Sequence, residues 1–186
     1  MKLLAIADRP PERPILELVK QNLIDLIVTL GDLELYEIGS LEHITHIPKI
    51  GVYGNHCSGN YFEQLGITNM HLRTWEYMGL KFGGFEGCVR YKERGSFMYT
   101  QDECSQLLKN FPKVDVMLTH CPPFGINDDQ TEESHTGFIG LKTYINNYHP
   151  KYLLHGHTYP KDPEAVQELS ETQIIYVHAN KFIDII

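Results

Sequence analysis

Five apolar runs in this chain stop at residues able to hold a cation or move a proton. Leu3 to Ala7 stops at Asp8, Leu26 to Leu30 at Gly31-Asp32, and Ile50 to Tyr53 at Gly54-Asn55-His56. Val114 to Thr119 stops at His120, and Tyr152 to Leu154 at His155-Gly156-His157. Runs of this length read as buried strands, and open α/β sheets keep their chemistry at the carboxyl ends of such strands. Carboxylate and amide oxygens suit hard divalent cations, while imidazole suits zinc, manganese and iron. Asp, Asn and His together therefore describe a mixed oxygen and nitrogen site for a first-row metal or zinc. Singly, each has a plainer reading, since Gly-Asn is an ordinary turn dipeptide and an Asp after a strand is often a cap. Gathered at one sheet edge, they cost on the order of several kcal/mol unless a cation or complete hydrogen bonding compensates.

Composition bounds what such a site can serve. With 186 residues, 42% hydrophobic and 22% charged, the chain reads as one domain over residues 1–186 with a sizeable core. Its 16 basic and 24 acidic residues leave a net charge of -8, which offers no footprint for duplex nucleic acid or an anionic membrane. A phosphate-bearing substrate therefore needs a local positive centre, and a bound cation would supply it. Cys57, Cys88, Cys104 and Cys121 form no Cys-x-x-Cys pair, so reduced thiols are expected rather than disulfides or a zinc ribbon. No apolar run is long enough to cross a bilayer or act as a signal peptide, and a soluble cytoplasmic protein is expected.

The elements between these runs must carry their ends to one place. Arg9-Pro10-Pro11-Glu12-Arg13-Pro14 cannot extend a ladder, because proline has no N–H to donate. Pro14 starts a helix over Ile15 to Gln21, and the strand after it completes a βαβ unit. A second short helix is expected over Leu35 to His43. Asn69 to Tyr77 and Leu80 to Phe85 read as a hairpin turning at Met78-Gly79, with Gly83, Gly84 and Gly87 read as loop. Thr100 and Glu103 have the capping-box spacing, which predicts a helix to about Lys109. Pro122 to Ser134 is a loop of a length that is commonly functional or mobile. A helix from about Leu141 to Tyr148 leads into the strand at Tyr152, and Gln173 to Val177 with Lys181 to Ile186 are expected to close the chain as a hairpin.

In order and rough spacing, Asp8, Gly31-Asp32, Gly54-Asn55-His56, Thr119-His120-Cys121-Pro122-Pro123 and Gly156-His157 resemble the calcineurin-like metallophosphoesterases. The likeness covers nearly the whole chain and is most specific from His120 onward, through Gly125, Asp128, His135-Thr136-Gly137-Phe138 and Leu153-Leu154-His155-Gly156-His157. It implies an α/β fold of two packed mixed β-sheets flanked by helices, an αββα sandwich. It also implies two metal ions that activate water against a phosphomonoester or phosphodiester. Carried over, Asp8 belongs to the first metal, Asp32 bridges both, and Asn55, His120 and His157 complete the second. His56 binds no metal and acts beside the scissile bond as general acid or as a donor to phosphoryl oxygens.

Two departures fall on the first metal. The pattern Asp-x-His becomes Asp8-Arg9-Pro10, and Gly-His-x-His becomes Gly156-His157-Thr158-Tyr159. The resemblance thus implies one tightly bound divalent ion and a first site that is weak or vacant. Manganese is the expected metal, with zinc, iron or magnesium as alternatives, since losing imidazoles disfavours zinc and iron most. Arg9 is a candidate replacement cation for phosphate, Tyr159 a candidate oxygen ligand, and His135 a candidate for the substrate cleft. Glu34 is expected to start a helix, Cys57 and Cys121 to pack, and His178 to pack or hydrogen-bond near the last hairpin. His43, His46, His71 and His149 are expected at the surface. The expected substrate is a phosphorylated small molecule or nucleotide. The competing reading is a catalytically impaired scaffold that binds a metal, a phosphoryl ligand or a protein.

Overall fold

The computed structural model describes residues 1–186. In chain order the elements are β1 (Lys2–Ala7), α1 (Ile15–Gln21), β2 (Leu26–Thr29), α2 (Leu35–Ile38) with a 3-10 turn after it (Gly39–His43), β3 (Lys49–Gly51), α3 (Phe62–Leu65) and β4 (Thr68–Asn69). They continue with β5 (Thr74–Tyr77), β6 (Leu80–Phe85), β7 (Cys88–Val89), β8 (Met98–Tyr99), α4 (Gln101–Leu108), β9 (Val116–Thr119), a 3-10 turn (Glu133–His135) and α5 (Ile139–Tyr148). The last strands are β10 (Tyr152–His155), β11 (Gln167–Leu169), β12 (Thr172–Tyr176) and β13 (Ala179–Asp184).

One sheet has the order β13-β1-β2-β3-β4, with β1 to β4 parallel and β13 antiparallel on the edge. The other has the order β11-β12-β10-β9-β6-β5, with four parallel strands between two antiparallel edges. Side chains alternate along each strand, and here both faces are covered, which is why the strands read as unbroken apolar runs. Leu3, Ala5 and Ala7 of β1 meet Val116 and Leu118 of β9 and Leu154 of β10 between the sheets. Leu4 and Ile6 face outward onto α1 and α3 through Leu18, Val19 and Phe62. Met117 and Leu153 face the other way, onto α4 and α5 through Leu108, Leu141 and Ile145. This is the expected pair of mixed sheets flanked by helices.

The helix at Thr100 has its reciprocal cap. Thr100 Oγ1 accepts from Glu103 N at 3.1 Å, and Glu103 Oε2 accepts from Thr100 N at 2.7 Å. Elsewhere the structure corrects the sequence reading. Gln173 to Val177 and Lys181 to Ile186 are no hairpin: β12 pairs with β10 in one sheet and β13 with β1 in the other. Ile175 and Val177 on one side, and Ile183 and Ile185 on the other, fill the same inter-sheet core from opposite faces. The hairpin is instead β11–β12, turned by Ser170 and Glu171 at φ 48 and 69. That positive-φ pair suits a tight hairpin but lacks the Asn-Gly signature.

Asn69 to Tyr77 likewise divides, with β4 in the first sheet and β5 in the second, and Met70 buried at the crossing. Gly83 and Gly84 lie inside β6 rather than in a loop. A Cβ on Gly83 would come 2.8 Å from the Phe111 ring, and one on Gly84 2.8 Å from Met70 Cβ, so packing on the two faces leaves no room for a side chain. His71 is half-buried rather than at the surface: Glu86 N donates to its Nδ1 at 3.1 Å, Tyr99 Oη donates to Glu86 Oε1 at 2.7 Å, and burial pushes the imidazole down to about 4.

Candidate metal centre

The strand ends that carry Asp8, Asp32, Asn55, His120 and His157 converge where the two sheets meet. Asp8 N donates to Gly31 O at 3.0 Å, joining the ends of β1 and β2. Gly156 N donates to His120 O at 3.0 Å, joining β10 to β9. His157 N then donates to both oxygens of Asp8 at 3.0 Å, which ties one sheet to the other. Three of these residues have left-handed backbones, Asp8 at φ 62, Asp32 at φ 52 and His157 at φ 72. Non-glycine residues there cost about 1 kcal/mol each and cluster at functional sites. Gly31, at φ 94, and Gly54 permit the closure, since a Cβ on either would lie 2.7 Å from the His120 ring and strike the facing backbone.

His120 is fully buried between fixed partners. Its Nδ1–H donates to Leu30 O at 2.8 Å, which leaves Nε2 as the other ring nitrogen. Nε2 faces Asn55 Oδ1 at 3.1 Å and Asp32 Oδ2 at 3.3 Å. With the amide oxygen turned to a neutral ring, that nitrogen is an acceptor facing acceptors, which a proton or a cation between them relieves, as does the amide turned end for end with Nδ2 donating to the ring. His157 Nε2–H donates to Ser134 O at 2.7 Å, leaving Nδ1 as its lone-pair nitrogen. Ligand atoms from Asp32, His120 and His157 all lie within 4.8 Å of one another. Asn55 Nδ2 is buried without a partner, as an amide anchored through its oxygen alone would be. The donor set of one carboxylate, one amide oxygen and two imidazoles fits a first-row divalent metal.

Electrostatics agree with a cation being wanted here. Burial alone would push the His120 imidazolium down, but the Asp32 charge, then its hydrogen bond, and the Asp8 charge raise it to about 9. Burial likewise opposes ionisation of Asp32, yet the His120 charge and hydrogen bond, with the His56 N–H, hold its carboxyl well below the usual carboxylate range. His157 is pushed down to about 3, first by burial and then by the His120 charge, so it stays neutral as a metal ligand must.

These groups open into a cavity of about 380 Å³ lined by Asp8, Asp32, Asn55, His56, Tyr91, Ser134, His135, His157 and Tyr159. His56 is exposed at its rim, with its backbone N–H held by Asp32 Oδ1 at 2.8 Å. His135, paired with Glu132 Oε2 at 2.7 Å, and Tyr159 also line a wider adjoining cleft of about 840 Å³, built from Gly125 to Asp129 and Thr158 to Asp162. The long loop after His120 therefore forms a cleft wall, as its length suggested.

Arg9 is exposed and does not line the cavity, so its side chain is not placed where phosphate would sit. Glu34 is the N-cap of α2, in a reciprocal cap with Glu37. Cys57 and Cys121 are buried free thiols whose titration burial pushes up, so both pack rather than ligate. His178 packs as expected, stacked on Tyr176, but at a crossing between the sheets and not at a hairpin. Its Nδ1 lies 3.7 Å from Asp8 Oδ2, and it follows the apolar run Ile174 to Val177, the same signal that marked the other strand ends.

A family model described as calcineurin-like phosphoesterase matches residues 7–161, and the chain belongs to that family. The family supports metal-dependent hydrolysis of phosphoesters in general, in keeping with the Asp32, His120 and His157 cluster. Among solved structures, TT1561 of Thermus thermophilus is similar at a TM-score of 0.63 and 15% identity, covering 94% of this chain and 88% of that one. A hypothetical protein of the same organism matches at 0.55 and 17%, covering 95% and 75%. GAP50, the anchor in the inner membrane complex of Plasmodium, matches at 0.53 and 13%, covering 95% and 70%. At such identities these likenesses show the shared fold. No curated protein matches in sequence. No helix is long and apolar enough to cross a membrane.

Proposed function

We propose that this protein hydrolyses a phosphoester, with a divalent cation held by Asp32, Asn55, His120 and His157. The observation that carries the reading is the convergence of Asp32, His120 and His157, whose ligand atoms all lie within 4.8 Å of one another, with the Asn55 amide against His120 Nε2 at 3.1 Å. When bound, the cation supplies a Lewis acid and lowers the pKa of a water. The chain's own residues do the rest. Asp32 holds the His56 backbone at the rim, and the His56 ring donates to the leaving oxygen or to a phosphoryl oxygen. Asn55 Nδ2, unpaired inside, donates to an oxygen of the bound phosphoryl group. The cleft beside His135 and Tyr159 holds the remainder of a phosphorylated small molecule or nucleotide.

Mixed oxygen and nitrogen ligands make manganese the preferred ion in this proposal. Four buried free thiols fit a reducing compartment, and residence in the cytoplasm belongs to the same reading. A second reading, a metal- or phosphoryl-binding scaffold with little turnover, is favoured by one observation. Pro10 and Tyr159 stand where the family pattern has two imidazoles of the first metal. Hydrolysis of p-nitrophenyl phosphate and bis-p-nitrophenyl phosphate by chelated protein, before and after adding manganese, magnesium or zinc, separates the two. Turnover that returns with metal and needs His56 supports the enzyme; bound metal with no turnover on either ester, or on a panel of nucleotides, supports the scaffold.

A further inference from the structure

Pro10 and Tyr159 stand where the family pattern places the two imidazoles of the first metal. In the antiparallel ladder of β1 and β13, Ala7 is opposite Ala179, so the next pair beyond it is Asp8 and His178. The chain arrives there through Val177, whose N–H donates to His155 O at 2.8 Å, and leaves through Ala179 at φ 55. A non-glycine residue with that φ is uncommon. Here it turns the chain from one sheet into the other and fixes His178 at the crossing. His178 Nδ1 is buried without a hydrogen-bond partner and lies 3.7 Å from Asp8 Oδ2. That is too long for a direct hydrogen bond, and a buried unpaired nitrogen wants a water or an ion. Two ligands about 2.1 Å from one cation stand about 3.0 to 3.4 Å apart at octahedral or tetrahedral angles, close to this gap.

We infer that His178 is a ligand of the first cation site, with Asp8 as its partner, replacing with an imidazole from the sheet crossing those absent at positions 10 and 159. The inference rests on the metallophosphoesterase reading of this site. The His157 N–H bonds do not bar it, because a carboxylate has about four lone-pair sites and can accept from an amide while ligating a cation. One imidazole with carboxylates takes manganese or iron(II) in preference to a structural zinc.

The test is metal titration of the metal-depleted full chain with manganese and cobalt, followed by calorimetry, cobalt absorption and elemental counting. Wild type is compared with His178→Ala, His178→Gln and Asn55→Ala, with melting of each metal-free variant as the check on folding. The expected result is two classes of ion in wild type. His178→Ala weakens one by more than about tenfold and leaves the other, while Asn55→Ala does the reverse. If His178→Ala melts early, His178→Gln, which keeps most of the volume but ligates poorly, carries the comparison. Wild-type binding in both His178 variants would overturn the inference, as would a wild type that takes one ion indifferent to His178. Two ions with one lost in the His178 variants, but no ester hydrolysed, would uphold this site and overturn the phosphoesterase reading instead.

Discussion

The two halves of the site are built on different terms. Around Asp32, Asn55, His120 and His157, each imidazole has one nitrogen committed to a backbone carbonyl, Leu30 O or Ser134 O, so that tautomer and ring orientation are fixed before any metal arrives. Around Asp8 the carboxylate is committed to the His157 N–H, and the nearest imidazole, that of His178, has an unpaired nitrogen. The contrast teaches that a metal site is defined as much by what holds its ligands as by their number. One half is set in advance by backbone bonds; the other leaves an imidazole nitrogen unpaired beside a carboxylate.

The variant that should disrupt the site most completely is Asp32→Ala, because Asp32 lies within ligand distance of both His120 and His157 and holds the His56 N–H. It is expected to reduce turnover by about 10³-fold or more and to deplete bound metal, checked by ester hydrolysis and elemental counting. His56→Ala separates chemistry from binding. A drop of about 10² to 10⁴ in kcat with unchanged metal content is expected, and lost metal would show that His56 is a ligand. His157→Ala should deplete the tightly held ion, and full occupancy after that change would count against the assignment of that half.

Acidity sharpens the comparison further. With His120 raised to about 9, its proton stabilises the metal-free fold fully below about pH 6.5, and that contribution is lost as pH rises through 9. A cation must displace the same proton, so manganese affinity should rise with pH by up to about tenfold per unit over that window and level off above it. A flat profile from titrations at several pH values would mean that His120 is neutral without metal. Smallest of all should be Tyr159→His, which restores one of the two imidazoles of the family pattern. Tyr159 is 69% exposed, so a gain of less than about tenfold for the weaker ion is expected by calorimetry.

Much of this was legible in the chain because strands buried on both faces leave unbroken apolar runs, and the residue ending each run is the one at the sheet edge. Asp8, Asp32, Asn55, His120 and His157 follow from that rule together with the family likeness, and so does the pair of mixed sheets. The rule also applied to Ile174 to Val177, but reading a hairpin there hid that His178 lies beside Asp8. Local pattern cannot tell a strand that turns back from one that crosses to the other sheet, because both leave the same alternation. Gly83 and Gly84 misled in the same way. Their absence of side chains answers Phe111 and Met70, residues distant in sequence that only the packed fold brings near.

The most direct test of the central claim is a single manganese titration of metal-depleted protein. Bound ion is read by electron paramagnetic resonance and bis-p-nitrophenyl phosphate hydrolysis is measured in the same samples. Turnover should be absent without metal and should rise with occupancy, and both should fail together in His157→Ala. Turnover that persists in fully chelated protein, or full occupancy with no hydrolysis of diester, monoester or nucleotide, would contradict it.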